Sequence, residues 1–76
     1  MSQRLPVVSG REAVAALQRL GLEVLPNRGK GSHIALWRAD LQRPVIVPDH
    51  KELDRGTLRS ILRGAGVSDE EFRRAL

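Results

Sequence analysis

Ala13, Ala16, Leu17 and Leu20 recur at i, i+3, i+4 and i+7, the spacing that gathers apolar side chains on one face of a helix. Ser9 and Glu12 just ahead of them have capping-box spacing, and Gly21 closes the run, so a helix is predicted over about residues 10 to 20. Leu22 and Val24 then begin a short extended run. Pro26 confines it to a sheet edge, because proline has no amide hydrogen for a ladder. Asn27-Arg28-Gly29-Lys30-Gly31 reads as a flexible basic loop.

From Ser32 to Arg38, Ile34 and Leu36 alternate with His33, Ala35 and Trp37, as a half-buried strand requires. The alternation puts His33 and Trp37 on the face opposite Ile34. After a polar connection from Ala39 to Arg43, Pro44 opens Val45-Ile46-Val47, β-branched throughout and closed by Pro48, a third strand expected to pair with the second as a hairpin. Residues 49 to 56 turn polar. Leu58, Ile61, Leu62 and Ala65 mark a second amphipathic helix ended by Gly66, and Ser68 with Glu71 repeats the capping-box spacing before a short helix carrying Phe72 and Leu76. The predicted architecture is α+β, an α-β-β-β-α order with a short C-terminal helix. With no repeat or low-complexity tract, residues 1–76 read as one domain.

Composition narrows what such a fold does. Seventy-six residues cannot hold a complete dinucleotide-binding or barrel fold. The absence of cysteine removes disulfide frameworks, thiolate nucleophiles and cysteine zinc sites, and makes a cytoplasmic location the default expectation. The longest apolar run, Ala13 to Leu17, is far short of a membrane span. A net charge of +4 favours a nucleic-acid partner, although one Trp, one Phe and no Tyr cannot build the stacking sheet of an RNA-recognition motif.

The charge is concentrated. Arg28 to Arg63 contains eight basic and four acidic residues, a net +4, while the flanking stretches sum to +1 and −1. Arg55, Arg59 and Arg63 fall at i, i+4 and i+8, a stripe read as lying opposite the apolar face of the second helix. That helix starts near Gly56-Thr57, where free amides and the positive dipole end would favour a phosphate.

Two histidines limit acid/base chemistry at neutral pH. His33, leaving a basic glycine loop, is the better candidate, since imidazole is the side chain whose ordinary titration lies nearest neutrality. Ser32 is excluded as its nucleophilic partner, because adjacent strand residues face opposite ways; its expected role is in orienting the turn. His50, beside Asp49, Glu52 and Asp54, is a secondary candidate, but no fixed metal-ligand spacing is present, and neither metal nor cofactor is expected.

Gly31-Ser32-His33, Val47-Pro48-Asp49-His50, Glu52-Leu53, Gly56-Thr57-Leu58-Arg59-Ser60-Ile61-Leu62, Ala65-Gly66-Val67-Ser68 and Phe72, in that order, resemble the HicA family of mRNA interferase toxins. The resemblance runs from about Ser9 to Leu76, and the Gly-Thr-Leu-Arg-Ser-Ile-Leu stretch is its most specific part. It implies a double-stranded-RNA-binding-domain-like fold, a toxin that cleaves mRNA through a strand histidine, and neutralisation by a HicB-type antitoxin. Carried over by position, His33 is the catalytic residue. The chain departs from the family where Ile34 stands in the second place of a frequent histidine pair, and where the hairpin at Ala39 to Arg43 lacks the usual glycine turn. Arg28, Lys30, Ser32 and Arg38 are the RNA-binding residues expected near His33, with Arg55, Arg59 and Arg63 as a further docking surface. The alternative function is a non-catalytic RNA-binding module of the same fold, holding RNA by shape and charge.

Overall fold

Each helix begins at a side chain that accepts from its own first turn. Ser9 Oγ accepts from the Glu12 amide at 3.0 Å while Glu12 Oε1 accepts from the Ser9 amide at 2.8 Å, and Ser68 and Glu71 repeat this reciprocal pair at 3.0 and 2.9 Å. The computed structural model describes residues 5–26 and 32–76. Along these the chain forms α1 (Gly10–Arg19), β1 (Glu23–Val24), β2 (His33–Trp37), β3 (Val45–Pro48), α2 (Arg55–Ala65) and α3 (Asp69–Ala75). The glycine that ends α2, Gly66, has φ 69°, the left-handed conformation that closes a helix at little cost only without a Cβ.

The sheet order is β1-β2-β3, antiparallel throughout, with Glu23 opposite Trp37 and His33, Ile34, Ala35 and Leu36 opposite Pro48, Val47, Ile46 and Val45. Directly opposed residues share a face. Ile34, Leu36, Val45 and Val47 therefore point one way, into a core with Leu17, Leu58, Ile61, Leu62 and Phe72. The helices cover this face, α1 lying against α3 and the sheet and α2 against β3. Glu23, His33, Ala35, Trp37 and Ile46 point the other way, to an open face. This is the α-β-β-β-α order expected from periodicity and the double-stranded-RNA-binding-domain-like fold that the family resemblance implies.

Two details differ from the sequence reading. Leu22 belongs to the core rather than to the strand, which is only two residues long. The segment before α1, given no structure from periodicity, buries Leu5 and Val8 and is tied down by the Leu53 amide donating to the Val8 carbonyl at 2.8 Å. The clue was composition: Leu5 to Val8 is apolar but too short to show a period.

Candidate active site

His33 opens β2, the central strand, and its side chain is exposed on the open face. Its neighbour Ile34 alternates to the helical face, half-buried against the core. The second place of the histidine pair is thus a core-side position in this chain, and only His33 of the two faces solvent.

The ground beneath His33 is built from the end of β3. His33 lies opposite Pro48, and the next amide, that of Asp49, donates to the Ser32 carbonyl. The Asp49 carboxylate is gripped by Arg11, whose Nε and Nη2 each donate at 3.2 Å. One residue further, the His50 carbonyl accepts from the Gly10 amide at 2.8 Å. An exposed ion pair of this kind contributes little to stability. Its effect is positional: α1, the Pro48-Asp49-His50 segment and the start of β2 are fastened together where His33 emerges. Arg11 carried no signal in the sequence, because its partner is 38 residues away.

The other expected site residues separate into groups. Arg28 and Lys30 lie outside the described residues. Ser32 is exposed at the turn, and its carbonyl accepts from the Asp49 amide. His50 is exposed, and among the described residues no group of three or more His, Asp and Glu side chains comes together that could hold a metal ion.

Arg38 follows β2 and turns inward. Its guanidinium donates to the Leu20 carbonyl at 2.9 Å, the Ala65 carbonyl at 3.2 Å and both oxygens of Asp40. Leu20 caps α1 and Ala65 ends α2, so one cation satisfies orphan carbonyls at two helix C-termini, where the dipoles favour it. The bond to Asp40 raises the Arg38 guanidinium above its ordinary value and holds Asp40 below the usual carboxylate range.

The arginine stripe needs a correction. At 3.6 residues per turn, Arg55 and Arg59 lie on the flank of the buried face of α2 rather than opposite it, and Arg63 alone comes near to opposing it. This flank looks toward the N-terminal segment and α3. Arg55 Nε donates to the Leu5 carbonyl at 2.9 Å and Arg59 meets Asp69 at 3.4 Å, while Arg63 is exposed. Because α2 covers the helical face, the stripe and His33 are not on the same surface.

The amides at the start of α2 are likewise not open to a phosphate. Asp54 caps them, accepting from the Thr57 amide at 2.7 Å and the Thr57 hydroxyl at 3.0 Å. These bonds hold the Asp54 carboxyl below its ordinary value, and the Ser68 amide and hydroxyl do the same for Glu71. A carboxylate with a depressed folded pKa contributes stability that is complete above its unfolded value and lost as pH falls through the folded one. Urea midpoints should therefore stay level from neutrality to about pH 5 and decline below it. Asp54→Asn should flatten that decline.

Helices on one face of a three-stranded antiparallel sheet, with an exposed histidine on the other, place the chain among small α+β proteins of the double-stranded-RNA-binding-domain type. The family described as the HicA toxin of bacterial toxin-antitoxin systems matches residues 10–67, from the glycine that opens α1 to the residue after the α2 cap. The chain belongs to this family, and is the toxin of a toxin-antitoxin pair, with an antitoxin as its partner. No curated protein matches it. No helix among the described residues is long and apolar enough to cross a membrane.

Proposed function

We propose that this toxin is a metal-independent mRNA interferase, that His33 is its general acid or base, and that a HicB-type antitoxin restrains it in the cytoplasm. The observation carrying this reading is an exposed imidazole at the head of the central strand, at the histidine of the Gly31-Ser32-His33 element, in a member of the HicA family.

The chemistry needs no protein nucleophile. The ribose 2′-hydroxyl attacks the adjacent phosphorus, its proton leaves to a base, and the bond to the 5′-oxygen breaks as that oxygen takes up a proton. One imidazole assisting either proton transfer contributes about a hundredfold to ten-thousandfold. Arg28 and Lys30, five and three residues before His33 in the sequence, supply cations for the charge that develops on the phosphate. Arg38 is omitted from this set because its donors hold the helix ends together.

The reading is tested by incubating the purified toxin with single-stranded RNA in EDTA. Cleavage should persist, and an oligonucleotide with 2′-deoxyribose at the scissile position should resist it. Salt-dependent RNA retention without any cleavage would instead select the non-catalytic binding module.

A further inference from the structure

The chain has two aromatic side chains apart from its histidines, and the fold treats them oppositely. Phe72 is fully buried. Trp37 stands on the open face, on the same strand and the same side as His33, with 37% of its surface exposed. Its Nε1 donates to the Leu41 carbonyl at 2.9 Å, which fixes the indole against the hairpin and leaves mainly carbon surface to face outward. Between Trp37 and His33 lies Ala35, only 1% exposed, with Ile46, 47% exposed, directly opposite it. The path from the histidine to the indole is thus a shallow apolar strip of about 13 Å, four residues at the strand rise.

Charge marks the indole end of this strip. At the indole end the cross-strand neighbour is Glu23, an exposed carboxylate. A phosphate is repelled there, whereas an uncharged base meets a pinned aromatic surface and a hydrogen-bond acceptor. We propose that Trp37 is a substrate-positioning residue: it stacks a nucleobase of the single-stranded RNA whose scissile phosphate lies at His33, one or two nucleotides along the strand. This rests on the reading of His33 given above.

Trp37 is the only tryptophan, so the chain carries its own reporter. The experiment titrates the His33→Ala protein with a short single-stranded RNA of mixed sequence, following tryptophan fluorescence and, separately, the anisotropy of a label on the RNA. The fluorescence change should follow the binding curve and should be absent with an abasic oligonucleotide of the same length. In the histidine-containing protein, Trp37→Leu, which keeps an apolar side chain at this position, should raise KM roughly tenfold or more with kcat little changed, as the loss of one stacked base requires. Trp37→Phe should recover part of the loss.

RNA binding that leaves the fluorescence unmoved, or a Trp37→Leu protein with wild-type KM, would overturn the proposal and leave His33-dependent cleavage standing. Loss of antitoxin neutralisation with unaltered RNA kinetics would also overturn it, assigning the strip to the protein partner. RNA that quenches Trp37 but is never cleaved would uphold the platform and remove the nuclease reading instead.

Discussion

Gly10→Ala is expected to remove a large part of the chain's stability. A Cβ at Gly10 would lie 2.0 Å from the Pro48 carbonyl oxygen, 3.0 Å from its carbon and 3.1 Å from the Asp49 Cα. All three are backbone atoms, so no side chain can swing aside. The same residue donates its amide to the His50 carbonyl, and any shift that relieves the clash stretches that bond. Overpacking costs about 1–3 kcal/mol even where side chains can yield, and a buried backbone group left unpaired adds about 1–3 more. Against this stands about 1 kcal/mol gained from replacing a helical glycine. The net loss, about 1–5 kcal/mol and centred near 3, is a large fraction of the roughly 4–11 kcal/mol typical of a chain this size. Gly64→Ala is the control: its Cβ would meet only Val45 Cγ2, at 3.8 Å, so it should hold or raise stability. Urea midpoints followed by circular dichroism decide the matter, and a Gly10→Ala midpoint equal to wild type would show that the helix does not approach β3 as described.

The effect reaches function because Gly10 sits where α1 meets the Pro48-Asp49-His50 segment, which in turn pairs with the residue before His33. The sequence reading places Gly10 at a helix start and gives it no further role. Nothing local distinguishes it, since its contact lies across the fold. The same reason hid the Arg11 grip on Asp49 and the inward turn of Arg38, each a long-range bond to a residue with its own unremarkable context.

What local chemistry controls was legible. Ser9 with Glu12 and Ser68 with Glu71 announced two helix starts, and Gly66 a helix end, because caps depend on residues within one turn. Strand alternation placed His33 and Trp37 on one face and Ile34 on the other. The Asp54 cap was hidden in a polar stretch, so the start of α2 read as open amides. The arginine stripe was correctly spaced but wrongly oriented: i, i+4, i+8 spacing fixes a line along a helix, whereas its angle to the buried face depends on which residues pack.

His33→Ala is the second large effect. The residue is exposed at a strand end, so its removal opens no core cavity, and the fold should be retained. Retention of RNA should be little altered, since most of the affinity for RNA comes from contacts along its backbone. Cleavage, by contrast, loses its only motif imidazole, because the adjacent position holds the core-side Ile34. The expected fall in rate is about a hundredfold or more.

That contrast gives the most direct measurement: single-turnover cleavage of one single-stranded RNA by wild-type toxin and by His33→Ala, in EDTA, with matched circular dichroism spectra. A rate lower by two orders of magnitude or more in a fully folded variant is predicted. A His33→Ala protein that cuts at the wild-type rate would contradict the account.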